Sequence, residues 1–170
     1  MTNGLVKVLK AIDTLSRWSG KAMRWLIYVL VIIIMYEVTL RYIFGLPTVW
    51  VFEASTMVFG ALALGSGAYA QVNKAHVSMD LFYRGRSKRT KAVMDACTYP
   101  LFIGFLIVLM WKSGAYAYLS LARLEHSTTA WGPPLYLIKT AIPVATALLA
   151  LQGFADFVRN VAFAITGGDL

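Results

Sequence analysis

Four long apolar stretches dominate this chain, at roughly 25–44, 49–72, 92–118 and 135–164. Each reaches the length of about 20 helical residues that crosses a hydrocarbon core of about 30 Å. Between them lie short connectors, and before them a basic arm. The pattern predicts an all-α membrane protein, residues 1–170 forming a single membrane domain of four transmembrane helices. A separate soluble catalytic domain has no room, so function must lie in the bundle or in what the bundle holds.

Composition agrees where it bears on solvent. The chain is 59% hydrophobic and 14% charged, with a mean hydropathy of +0.65, a balance that polytopic membrane proteins need and soluble domains rarely tolerate. The net charge of +8 sits at particular membrane edges and forms no nucleic-acid-binding module, so no nucleic-acid partner is expected. The single cysteine, Cys97, excludes an internal disulfide and with it a thiol-oxidising enzyme; it reads as a small apolar residue near the start of the third helix. The first apolar run carries Glu37 and Arg41 and lacks an Ala-x-Ala-like site after it. It is therefore expected to be a retained helix and not a cleaved signal.

Charge asymmetry predicts the orientation. Lys7, Lys10, Arg17, Lys21 and Arg24 precede the first span against Asp13 alone, and the second connector carries Lys74, Arg84, Arg86, Lys88, Arg89 and Lys91 against Asp80. The first connector, 45–48, is uncharged, and the third holds only Arg123 and Glu125. Positive-inside bias then places both termini and the second connector in the cytoplasm.

The arm, residues 4–24, is amphipathic. Leu5, Val8, Leu9, Ile12, Leu15 and Ser19 share one helical face, and Lys7, Lys10, Thr14, Arg17, Lys21 and Arg24 the other. It is expected to be an interfacial helix, with Lys7, Lys10 and Arg17 toward lipid headgroups. The alternative is a cytoplasmic extension of the first span with a solvated basic face.

Polar residues inside the spans are costly and therefore informative. Glu37 and Arg41 are one helical turn apart, and the short connector brings Glu53 toward them. A Glu37–Arg41–Glu53 cluster with Trp50 at the interface is expected. It is either an internal lock on the helix hairpin or a contact for a partner subunit; part of an ion path is a third role. In the second span, Ala61 with Gly65 and Ala63 with Gly67 have small-xxx-small spacing for close helix packing.

His76 and Asp80 read as a pair at the cytoplasmic mouth, too few ligands for a metal. Lys112 and Lys139 are expected to snorkel, or to meet headgroups or a partner's acids. Pro100 and Pro143 are expected to kink the last two helices. Ser127-Thr128-Thr129 and Trp131-Gly-Pro-Pro134 read as a turn that caps the fourth helix. Arg123, Glu125, Ser127 and Thr129 form a candidate periplasmic docking surface.

The chain contains no Gly-x-Ser-x-Gly, His-Glu-x-x-His or phosphate-loop motif, so no enzyme activity, cofactor or metal is expected. His76 and His126 fall on opposite membrane sides in the predicted topology, which argues against haem held by two histidines.

The ordered array Glu37-x-x-x-Arg41-Tyr42, Pro47-x-x-Trp50-x-x-Glu53 and His76-Val-x-x-Asp80 resembles the small, DctQ-like membrane subunit of TRAP (tripartite ATP-independent periplasmic) transporters. Ser127-Thr-Thr, Pro133-Pro and Pro143 resemble that family's third connector and fourth helix, whereas Lys139 departs from the neutral residue expected there. The resemblance covers nearly the whole chain.

It implies a small permease subunit in the bacterial inner membrane. This subunit scaffolds a large membrane (M) subunit, which holds the substrate and sodium sites. A periplasmic binding protein (P component) delivers an organic acid bearing a carboxylate, and membrane lipids surround the complex. The absence of an internal repeat and of paired broken helices fits a scaffold better than a self-sufficient transporter. Two rivals remain: a small homo-oligomeric channel or exporter, and the membrane anchor of a respiratory oxidoreductase.

Overall fold

A computed structural model describes residues 3–73 and 88–166, and every element in them is helical: α1 (Asn3–Ile43), α2 (Val51–Val72), α3 (Lys88–Ala122) and α4 (Leu135–Thr166). All four are long and apolar enough to cross a membrane. The third begins earlier and ends later than the apolar run, because the polar residues Lys88–Lys91 and Ser120 continue its helix.

The chain pairs as two hairpins, α1 with α2 and α3 with α4. They are joined by α2 on α4 and, less extensively, α1 on α4. Thus α4 touches all three other helices and is the axis of the fold, while α3 packs chiefly on α4. Lipid tails are as apolar as leucine side chains, so helices associate in membranes through close packing and hydrogen bonds. The buried set fits that physics: Ala68, Ala117, Ala155, Ala162, Ser16, Ser113 and Ser120 dominate it, with Leu106 the largest fully buried apolar side chain.

Glycine permits the closest approaches. A Cβ on Gly20 would run into the Tyr69 side chain, and one on Gly153 would stand 2.5 Å from Phe102 Cε1. Gly65 likewise faces Met23, so the Ala61–Gly65 pair lies where α2 meets α1. Of the other pair, Ala63 is exposed. Tyr99 of α3 stacks on Phe157 of α4 at 4.1 Å.

The arm is not a separate helix. α1 runs unbroken for 41 residues, about 60 Å at 1.5 Å per residue, nearly twice the hydrocarbon thickness. No proline or turn interrupts it, so the first span simply continues backwards. Its buried side is offset from the apolar face: Leu9, Ser16 and Ser19 are buried, whereas Val8 and Leu15 are exposed. The half of the arm nearest α4 is therefore held by protein, and the extension is what the structure contains.

Helix ends follow local chemistry. Gly45, with φ +66°, is the left-handed residue after α1, and Leu46 N–H donates to Leu40 C=O at 3.0 Å. Schellman geometry ends α3. There the left-handed residue is Leu124, φ 46°, and Glu125 N–H donates to Ser120 C=O at 2.9 Å. Pro100 and Pro143 lie inside their helices, each removing one backbone donor.

Candidate functional site

The polar side chains gather at the two ends of the bundle. At the connector end, the Glu37 carboxylate is shared. Arg41 Nε donates to its Oε1 at 2.8 Å, and the rest of the guanidinium completes an ion pair one turn away. Its other oxygen accepts from the Thr48 hydroxyl and from Thr48 N–H at 3.3 Å. Glu37 thereby ties the connector back onto α1, as a hairpin lock would.

Glu53 stands apart from this lock. It has no ion pair with Arg41 or any other cation among the described residues, and its Oε2 is buried without a hydrogen-bond partner. The expected three-member cluster is thus a two-member pair plus Thr48. The reason is rotational: Glu53 lies in the first turn of α2 on the side facing the third connector, beside Ser127 and Pro133, while Thr48 takes the place beside Glu37. Trp50 lies between Tyr36 of α1 and Trp131 of the third connector, with centroids 5.9 and 6.1 Å away. This aromatic triplet links the two hairpins.

The third connector folds on itself. Lys139 Nζ donates to Glu125 Oε2 at 2.6 Å, so Lys139 does not reach for an outside acid. That hydrogen-bonded ammonium, above all, holds the Glu125 carboxyl below the ordinary carboxylate range. Glu125 C=O accepts from Leu135 N–H at 2.9 Å and so serves the start of α4. The hydroxyls of Ser127 and Thr129 meet each other at 3.0 Å instead of capping that helix. His126 Nδ1 lies 3.0 Å from Gly132 C=O, and Gly132 takes φ +62° to close the turn. Of the candidate docking residues, Glu125, Ser127 and Thr129 are engaged within the connector, and Arg123 and Thr129 are exposed.

Lys7, Lys10 and Arg17 are exposed along α1, and Lys112 is exposed with its Nζ 5.3 Å from the Trp111 ring. Cys97 is exposed on α3. His76 and Asp80 lie outside the described residues. Among the described residues, no three histidines, cysteines or acids gather as a metal site would require.

The opposite end holds a network that sequence reading missed. Gln152 of α4 is fully buried. It accepts from Ser16 Oγ at 2.9 Å and donates to Asp13 Oδ1 at 3.0 Å. Arg159 donates to Asp13 Oδ2 at 2.8 Å and to Asp156 Oδ1 at 3.3 Å, and Gln71 of α2 donates to Asp156 Oδ2 at 3.2 Å. Three helices are thereby joined. Asp13 lies about 45 Å along α1 from Ile43, past a hydrocarbon core of about 30 Å, so interfacial depth moderates the desolvation. A signal was present: Gln152, Asp156 and Arg159 recur at four and three residues in an apolar run, one polar face on a membrane-length helix.

Among the described residues, neither end arranges a nucleophile, base and oxyanion donor around a substrate position; the polar groups there bind the chain to itself. No curated protein matches the chain. The family model described as "Tripartite ATP-independent periplasmic transporters, DctQ component" matches residues 30–163, spanning all four helices though not the first half of α1. The chain therefore belongs to the DctQ family, the small membrane components of tripartite ATP-independent periplasmic transporters.

Proposed function

We propose that this chain is the non-catalytic small subunit of a sodium-coupled TRAP transporter. In this reading it scaffolds the large membrane subunit in a bacterial inner membrane, both termini facing the cytoplasm. A periplasmic binding protein delivers a carboxylate-bearing organic acid, and sodium coupling resides in the large subunit. The connector end is then periplasmic, and Arg123 and Thr129 are the residues available to meet the binding protein.

The observation that carries the reading is the engagement of the polar groups. Glu37, Glu125, Lys139, Asp13, Asp156, Arg159 and Gln152 all satisfy one another within the chain. They lie at the two ends of the bundle. A bundle that pairs these groups internally suits an element that stays fixed while another moves. The exposed apolar surface of α1, from Trp25 to Phe44, gives it area to share with lipid.

The test is purification in mild detergent from cells that also make the large subunit, followed by reconstitution. Co-purification at one to one, with sodium-driven uptake requiring both chains and the binding protein, is the expected result. Solute flux through liposomes holding this chain alone would overturn the scaffold role and favour a homo-oligomeric channel. A haem spectrum or quinone-dependent activity would instead indicate a respiratory anchor.

A further inference from the structure

At the connector end, Glu37 is paired with Arg41 and Glu125 with Lys139, leaving Glu53 as the carboxylate without a cation among the described residues. Its Oε2 is buried with no hydrogen-bond donor. Glu53 is in the first turn of α2. The side chain lines a groove of about 190 Å³ with Thr56, Met57, Ser127, Pro133 and Leu135, none of which bears positive charge. A carboxylate oxygen buried without a donor is costly. The missing component is a cation.

The surface beside the groove indicates where that cation comes from. Phe52, Thr56, Phe59 and Ala63 recur at four, three and four residues, and all are exposed. They make one stripe down α2, about 16 Å long, that descends from the carboxylate into hydrocarbon depth. A soluble protein cannot follow it there. Two projecting aromatics alternating with small residues give the relief that a packed helix uses and that fluid acyl chains do not need. The exposed face of α1 between Trp25 and Tyr36 is apolar throughout, and hydrocarbon alone satisfies it.

We propose that Glu53 receives a lysine or arginine of the large membrane subunit, and that the Phe52–Ala63 stripe packs against the helix carrying that residue. This rests on the small-subunit reading above, and it names the face of that subunit which binds. Charge complementarity fixes the rotation of α2 against its partner, and the stripe supplies the contact area.

The test uses the co-expressed two-subunit complex with Glu53→Gln, Glu53→Lys and Ala63→Trp. Each variant is also purified alone, its helicity and size checked against the wild type. Glu53→Lys is expected to lower recovery of the large subunit by about tenfold or more, which is about 1.4 kcal/mol, and Glu53→Gln by a smaller factor. Ala63→Trp, far from any charge, is expected to lower recovery as well. Changing the large subunit's connector-end lysines and arginines to glutamate, one at a time, should restore recovery of Glu53→Lys at a single position. If the wild type recovers the large subunit and folded variants recover it equally, the Glu53 assignment is overturned while the small-subunit reading stands. If the wild type itself recovers none, the small-subunit reading fails. Unchanged recovery with loss of thermal stabilisation by phosphatidylethanolamine vesicles, but not phosphatidylglycerol vesicles, would assign Glu53 to a lipid amine and overturn the proposal.

Discussion

The two ends of this bundle solve the same problem with opposite reach. At the connector end the locks are local: Arg41 to Glu37 spans 4 residues, Thr48 to Glu37 spans 11 and Lys139 to Glu125 spans 14. At the other end Gln71 reaches 85 residues to Asp156, and Arg159 reaches 146 to Asp13. Local locks shape each hairpin by itself. The distant ones decide how the hairpins dock. The second kind is the harder to form, because closing a long loop has an entropy cost that contacts must offset.

The sharpest way to break this contrast is to remove one lock from each end. Arg159→Leu leaves Asp13 and Asp156 facing each other without their cation, and is expected to cost about 2–3 kcal/mol at this part-exposed site. Arg41→Ala removes an exposed one-turn pair and should cost about 0.5 kcal/mol or less. Thermal unfolding of both variants in detergent compares them directly; equal losses would mean that reach does not separate the two ends. A double-mutant cycle between Asp13→Asn and Arg159→Leu should further show coupling above about 0.5 kcal/mol.

Steric fit at the α1–α2 contact gives the next effect in size. Gly20→Ala drives a methyl into the Tyr69 ring at Cγ and Cβ and should cost about 1–3 kcal/mol. Gly65→Ala meets the end of the Met23 side chain, which can turn aside, and should cost clearly less. Chemical denaturation of the pair reads the difference, and the reverse order would show that the hairpin contact is not held where the ring lies.

Smaller again is a gain. Leu124 occupies a left-handed position at φ 46° where a side chain costs about 1–2 kcal/mol. Leu124→Gly should raise the midpoint of thermal unfolding by an amount worth about 1 kcal/mol once the entropy of glycine is subtracted. A loss would mean that the exposed leucine has an apolar partner.

The smallest effect is one of pH. The Glu125 carboxyl is held below its ordinary range by Lys139. A depressed folded value means that its contribution is present above the unfolded value and is lost as pH falls through the folded one. Unfolding midpoints of the wild type and Glu125→Gln should therefore converge as pH drops below the ordinary carboxylate range and separate at neutral pH. Curves parallel at every pH would remove Glu125 from the connector's stability.

How much was legible follows the same division. Helix number, the Glu37–Arg41 pair and the turn at Trp131-Gly-Pro-Pro134 all depend on residues within a few positions of one another, where 3.6-residue periodicity and short connectors set distances. Glu53 was misplaced because its partner depended on which way α2 turns after Trp50, an angle that spacing does not contain. Lys139 looked like a departure for a related reason: Glu125, its counter-charge, comes within reach only when the connector folds back. The Asp13–Gln152–Asp156–Arg159 network was invisible as a network, though each polar residue stood out in its apolar setting.

By itself, the sequence determined that this chain is a four-helix membrane protein, where each span falls, and that it resembles the DctQ family, because hydrophobic length and residue order are one-dimensional properties. Only the tertiary structure decided that the arm is the unbroken beginning of α1, that α4 is the axis holding both hairpins, and that Glu53 is left without a cation among the described residues. Each of these depends on rotation and depth of one helix against another, and in a solvent as apolar as the side chains those are set by packing and by which polar groups find each other.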